Sequence, residues 1–305
     1  MKKIIAVLFV FFTFGCIAFS AEPPEEAVSF LVKGDEFFNS GKYEEAVKEY
    51  DRSIKADPQF FNPRYNKALA LMRLGKFNMA ADEFDGVISI DEKNANAYLY
   101  KGVALLEVKK YEEALAALDN AAEADAGRYE VYYYKGQAYY QQEKYEESVK
   151  EYDKAIKVKK DEKQIYYAKG ASLYQLKKYE DAIKSFSKAI ELDKLFLNAY
   201  FARGNTYYSM GKFKDAIKEF DEVIKLDGNN EEAYVAKAVC LFYLKKYDEA
   251  LETADKAISV NADSARAYNV KANVYLTLEK KEEATAMLNK ADEINVRKGT
   301  GNTNQ

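Results

Sequence analysis

A period of 34 residues governs this chain. A short signature of Lys, an aromatic, acids and a small residue recurs as GKYEEA at 41–46, KKYEEA at 109–114, EKYEES at 143–148, KKYEDA at 177–182, GKFKDA at 211–216 and KKYDEA at 245–250. GKFNMA at 75–80 and EKKEEA at 279–284 complete the series, so eight units fill 27–298 without insertion or deletion. Such constancy implies one supersecondary unit stacked on copies of itself, because a single unit cannot bury its apolar face alone.

The stretch 199–227 shows what one unit is. Tyr200, Gly204, Tyr207 and Tyr208 recur at helical spacing, as do Phe213, Ala216, Ile217, Phe220, Val223 and Ile224, with Gly211-Lys212 as a turn between them. Each unit is therefore expected to be two short amphipathic helices, A and B. Small residues form one column in helix A (Gly34, Ala68, Gly102, Gly136, Gly170, Gly204, Ala238, Ala272) and another in helix B (Ala46, Ala80, Ala114, Ser148, Ala182, Ala216, Ala250, Ala284). Large residues such as Tyr111, Tyr145 and Tyr179 fill the gaps. Acids after the turn, Glu112-Glu113 for one, suit the positive end of helix B.

These columns resemble the tetratricopeptide repeat family. The period, the small residue at unit position 8, the Ala at 20 and the aromatic at 24 (Tyr50, Phe84, Tyr152, Phe186, Phe220) match its pattern. The departures are a Tyr, Phe30 or Arg64 at position 4, a Lys or Arg throughout position 7, and a closing proline only at Pro58. The resemblance implies an all-α, right-handed superhelical solenoid of eight helix-turn-helix units, with helix A lining a concave groove. The position-7 cations read either as an anion ladder or as partners of position-25 acids in the preceding unit. The second reading is the better supported, since Asp51, Asp85, Asp119, Asp153, Asp221 and Asp255 occupy that column. Cys240, at position 10 among Ala, Ser and Thr, reads as a small core residue.

The domain organisation follows. Residues 1–20 form a signal peptide, 21–26 a lead-in, 27–298 the eight units and 299–305 a disordered tail. Pro23-Pro24-Glu25-Glu26 is a helix start. Unit eight places Lys281, Thr285 and Asp292 where other units are mostly apolar, so its helix B serves as a cap. Lys2-Lys3, the apolar run Ile4–Phe14, and Ala18 and Ser20 before a cut have the order of a secretory signal. Cleavage is expected before Ala21, with the protein in the periplasm or cell envelope of a bacterium. A lipoprotein acylated at Cys16 is the alternative, and a membrane association is expected only in that case; an uncleaved anchor is the remaining reading.

Composition excludes much chemistry. The chain has no histidine, which removes Ser-His-Asp and Cys-His nucleophilic sites, HExxH zinc sites and His-ligated haem. Its two cysteines, Cys16 and Cys240, form no metal or redox pair. No phosphate loop appears, and no metal or cofactor is expected. Basic and acidic residues number 46 and 50 and are evenly spread, so no nucleic-acid partner is expected. The chain reads as a non-enzyme whose oligomeric state the pattern leaves open.

Function is then expected in the groove. The family geometry implies that positions 2, 5, 9, 12 and 13 face it, with position 6 beside them. These columns hold Tyr65, Tyr133, Tyr167 and Phe201 at position 5, Tyr140, Tyr174 and Tyr208 at position 12, and the amides Asn66, Gln137 and Asn205 among them. Rings give contact area at small entropic cost and amides bond peptide N–H and C=O groups, which suits an extended protein segment. The position-12 tyrosines have a second reading as packing between units, whereas those at position 5 are expected to face open groove, with binding concentrated in units four to six. Positions 5 and 9 carry no Lys or Arg, which argues against the family's clamp for acidic chaperone tails. The sequence thus reads as an exported scaffold binding a protein or peptide, with a glycan or small-ligand binder as the alternative.

Overall fold

The computed structural model describes residues 22–301; the signal region with Cys16, and 302–305, lie outside the described residues. The chain divides into two compact units, Met1–Glu92 and Lys93–Gln305. All sixteen elements among the described residues are helices. The first unit holds α1 (Glu25–Asn39), α2 (Tyr43–Ala56), α3 (Phe61–Arg73) and α4 (Phe77–Ile90). The second holds α5 (Ala95–Glu107), α6 (Tyr111–Ala124), α7 (Tyr129–Gln141), α8 (Tyr145–Val158), α9 (Lys163–Gln175), α10 (Tyr179–Leu192), α11 (Leu197–Ser209) and α12 (Phe213–Leu226). It continues through α13 (Glu231–Tyr243), α14 (Tyr247–Val260), α15 (Ala265–Thr277) and α16 (Lys281–Gly301). Odd-numbered helices are the A helices of eight hairpins, even-numbered ones the B helices. Within each unit every helix packs on its hairpin partner and on the helix that follows.

The same closure ends every helix A. At each turn the position-16 N–H donates to the position-11 carbonyl, as from Lys144 to Tyr139 and from Lys212 to Tyr207, both at 2.9 Å. A second bond, spanning fewer residues, runs from position 15 to position 12, as from Gly211 to Tyr208 at 2.9 Å. This pair is a Schellman closure and needs a left-handed residue at position 15. Gly41, Gly75 and Gly211 supply it at φ 70–73°, but Lys109, Glu143, Lys177, Lys245 and Glu279 are held there at φ 57–61°. Five side-chain-bearing residues thus accept strain that glycine would not.

Inside each hairpin the decisive contact is between position 8 and position 24. A Cβ on Gly136 would lie 2.5 Å from Tyr152 Cε1, and one on Gly170 would lie 2.6 Å from Phe186 Cε1. The ring therefore occupies the space a side chain would need, and Tyr50, Phe84, Tyr152, Phe186 and Phe220 are at most 2% exposed. Where position 24 is the small Ala254, position 8 is Ala238 and the volume is conserved; unit two keeps both Ala68 and Phe84. Position-17 rings such as Tyr145, expected in the same core, are only half-buried. They sit about two turns nearer the loop and lean on position 12 instead: Tyr140 to Tyr145 is 5.3 Å between centroids. Cys240 is fully enclosed, and burial pushes its thiol up to about 12.

A charge ladder joins neighbouring hairpins. Lys67 meets Asp51 at 2.6 Å, Lys135 meets Asp119 at 2.5 Å, and Lys169, Lys237 and Lys271 meet Asp153, Asp221 and Asp255 at 2.6 Å. Some rungs gain an acid from position 23 of their own unit. Lys67 also contacts Glu83 at 2.6 Å, and Arg203, whose preceding unit offers Ser187 instead of Asp, pairs with Glu219 at 2.8 Å. Burial works against the Lys67 charge, but bonds to Asp51 and Glu83 outweigh it and raise its pKa. With the aspartates about half exposed, each rung is worth roughly 0–1 kcal/mol.

The two ends behave differently from expectation in one respect. Helix α1 starts at Glu25 with Pro24 before it, as the sequence implies. At the other end, Lys281, Thr285 and Asp292 are exposed on the closing helix. That helix runs to Gly301, so residues 299–301 are helical rather than part of a disordered tail. Arg297 pairs with Asp263, and Lys298 Nζ donates to the Asp263 carbonyl at 2.8 Å, which holds the last turns against the preceding loop.

Two outcomes follow. Lys177→Gly and Lys245→Gly are each expected to raise stability by about 0.5–1 kcal/mol, and Gly211→Lys to lower it by as much, read as urea midpoints at constant m-value. Gly136→Ala should cost about 1–3 kcal/mol in the wild type and clearly less in a Tyr152→Leu background; equal costs would dissolve the proposed contact.

Candidate functional site

The helix-A face of the second unit carries two adjoining recesses. One, about 380 Å³, lies between α9 and α11 and is lined by Tyr140, Tyr174, Gln175, Asn205, Tyr208 and Ser209. The other, about 360 Å³, lies among α11, α13 and α15, with Val235, Val239, Val270, Asn269 and Asn273 facing Asn205 and Tyr208. Space exists because the residues beside it are small: Ala171 and Ala202 in the first recess, Ala236 in the second. The position-24 rings Phe186 and Phe220 reach their floors.

The position-12 rings are held by the next hairpin. Tyr174 Oη lies 2.9 Å from Ser209 Oγ, and Gln175 Nε2 donates to Tyr140 Oη at 3.4 Å. Tyr208 meets the Tyr243 ring at 5.8 Å; burial first, then the neighbouring Tyr243 phenol, pushes its phenol up to about 12. Tyr243 itself stacks on Phe213 at 4.9 Å, with the ring planes 7° apart, and is 51% exposed. A bond between position 12 and position 13 of the next unit thus recurs twice, and a ring contact takes its place at Tyr208 and Tyr243. These tyrosines both join hairpins and wall the recesses.

Position 5 is a correction. Tyr133, Tyr167 and Phe201 do not stand in open groove. Each is half-buried against the position-24 ring of its own hairpin: Tyr133 to Tyr152 and Tyr167 to Phe186 at 5.8 Å, Phe201 to Phe220 at 5.5 Å. The reason is helical geometry. Position 5 lies one turn from the position-8 glycine, on the side that the large ring must fill. Leu99 and Val235, at the same position in other units, are fully buried. Burial raises the phenol pKa of Tyr133 and of Tyr167.

The remaining expected residues are dispersed. Gln137 donates to Tyr133 Oη at 3.1 Å and edges a separate hollow of about 290 Å³ with Leu106, Glu107 and Gln141. Tyr133 itself opens onto another, about 220 Å³, beside Glu130 and Glu162. Tyr65 and Asn66 belong to the first compact unit, where Tyr65 packs on Phe84 at 5.7 Å. There Asn66 Nδ2 and Tyr50 Oη both donate to Asp35 Oδ1 at 2.8 Å, so this amide serves the hairpin stack. Of the expected set, Tyr140, Tyr174, Asn205 and Tyr208 come together.

Sequence reasoning did not single out Ser209, Val239 or Asn269; the first recess lies within units four to six, and the second runs on into units seven and eight. The available signal was the run of small residues, Ala168, Ala171, Ala202 and Ala236, at positions 6 and 9, since space opens where side chains are short. Among the described residues no group of three or more Cys, Asp or Glu side chains is arranged to hold a metal ion, and no helix is long and apolar enough to cross a membrane.

With this geometry in hand, comparisons with known proteins are informative. Sequence models described as TPR repeat match residues 34–75, 136–177 and 170–211, and models described as Tetratricopeptide repeat match 65–129, 207–274 and 265–295. No curated protein sequence matches. Among solved structures, YrrB, a TPR protein with an unusual peptide-binding site, is 28% identical with a TM-score of 0.54 over 63% of this chain and 98% of its own. MamA from Desulfovibrio magneticus RS-1 is 24% identical with a TM-score of 0.54, covering 56% and 97%. The C-terminal part of a TPR repeat-containing protein from Cytophaga hutchinsonii is 16% identical, with a TM-score of 0.68 over 79% and 98%. The last two are similar in fold alone.

Proposed function

The chain belongs to the tetratricopeptide repeat family, and we propose that within it this protein is a non-catalytic scaffold whose helix-A face binds an extended segment of a partner protein. One observation carries the reading: two adjoining recesses, walled by Tyr140, Tyr174 and Tyr208, bear amides that the fold itself leaves unused. The fold is typical of protein–protein interaction, and the similar YrrB has a peptide-binding site. Charge supports the reading from the other side. The position-7 cations Lys135, Lys169 and Lys237, beside the recesses in the one basic column on helix A, are spent in the ladder between hairpins, so the carboxylate-gripping mode is not available to them.

A photoreactive amino acid at Ser209 is expected to crosslink a partner from cell-envelope extract, and the same group at Lys184, exposed on α10, to crosslink none; the reverse pattern would move the site. Asn205→Ala should weaken capture while stability stays within about 0.5 kcal/mol of wild type. Tyr167→Ala should instead lose about 2–4 kcal/mol of stability, because its ring supports Phe186. A glycan panel run beside the extract tests the alternative ligand class.

Export belongs to the same proposal. The sequence at Met1–Ser20 directs the chain to the cell envelope and is removed before Ala21. Intact mass of the expressed protein should correspond to a start at Ala21; incorporation of labelled lipid at Cys16 would establish the lipoprotein instead.

A further inference from the structure

The lining of the two recesses specifies what kind of segment they accept. Tyr208 and Asn205 form a wall common to both, so the recesses are neighbours on one track. Both have apolar floors, Phe186 in one and Phe220 with Val235 in the other, and each has room for a large side chain. The side-chain amides of Asn205, Asn269 and Asn273 border the second recess and make no hydrogen bond to any described residue. An amide offers two donors and an acceptor, the complement of a peptide N–H and C=O. Tyrosine is the only ionisable type lining the first recess. Arg266, the charged residue of the second, is already paired with Glu232 at 3.4 Å.

We propose that these two recesses bind an extended, uncharged stretch of a partner polypeptide, one apolar side chain in each, with the Asn205 amide bonded to the backbone between them. The proposal rests on the scaffold reading above and names its partner. A charged side chain entering the first recess would leave water for a wall without a counter-charge, which disfavours it, and in the second it would meet only Arg266, already paired with Glu232. An apolar one gains burial against Phe186 or Phe220. Adjacent packed helices stand about 8–10 Å apart, and an extended chain advances about 3.3–3.6 Å per residue, so the two anchors lie about three residues apart.

The probe is a phage-displayed library of random unstructured peptides, selected on the full purified protein. Enriched peptides are expected to carry two large apolar residues about three positions apart, with no charge between them. Their affinity should stay within about twofold as salt rises from about 0.05 to about 1 M, over which the Debye length falls to about 3 Å. Ala202→Leu and Ala236→Leu, which fill one recess each, and Asn205→Ala should each lower affinity about tenfold or more, with helicity and melting unchanged. Peptides that bind and are blocked by both leucine variants, yet are charged and salt-sensitive or need only one anchor, overturn this inference and leave the scaffold reading standing. Peptides insensitive to all three variants overturn both, and so does a library that yields no binder while glycans bind at the recesses.

Discussion

The contact between a position-8 glycine and a position-24 ring is what the stack depends on. Gly136 and Tyr152, or Gly170 and Phe186, bring two helices close enough that one ring fills the hairpin. Once that ring is in place, position 5 has a surface to pack on. Tyr133, Tyr167 and Phe201 become buttresses of the core, and the next hairpin finds a ready floor. Loss of the close approach would push helix B outward and misplace every contact that follows, since each hairpin is positioned by its predecessor.

The chemistry of the helix-A face follows from the same economy. Position 7 is cationic in all eight units, yet the charge does not reach the recesses. Lys135, Lys169 and Lys237 turn toward aspartates of the preceding hairpin. What is left for the face is rings, amides and alanines. The rings at position 12 are tied by their hydroxyls to the next hairpin, so the recess walls are set before any ligand arrives. Pre-set walls lower the ordering cost of binding, which is how a neutral face of modest depth can still hold a flexible segment.

Several features were legible because they depend only on neighbours along the chain. The eight hairpins, the turns, the small columns and the position-7 to position-25 ladder are all local or one period away, and a constant period makes one period away a fixed distance in space. Cys240 was readable as core by its column mates. The direction of the position-5 rings was not, because it depends on whether the ring at position 24 leaves them a surface or a gap. Position-12 tyrosines were ambiguous for a related reason: a hydroxyl that joins hairpins and a ring that walls a recess are the same residue, Tyr140 or Tyr174.

The sequence by itself determined the repeated hairpins, since the constant period, the helical spacing and the turns mark each one, and the solenoid was implied by the resemblance those columns carry. It also determined what the protein lacks, because an absent histidine needs no coordinates. Only the tertiary structure decided where the helix-A face opens. A recess is a volume left over after packing, set jointly by Ala171 and Ala202, or by Ala236 and Val270, on helices one 34-residue period apart. No single column records it. It decided, too, that Asn66 is spent on Asp35 while Asn205 is left free, two amides alike in sequence and separated only by whether an acceptor stands within reach.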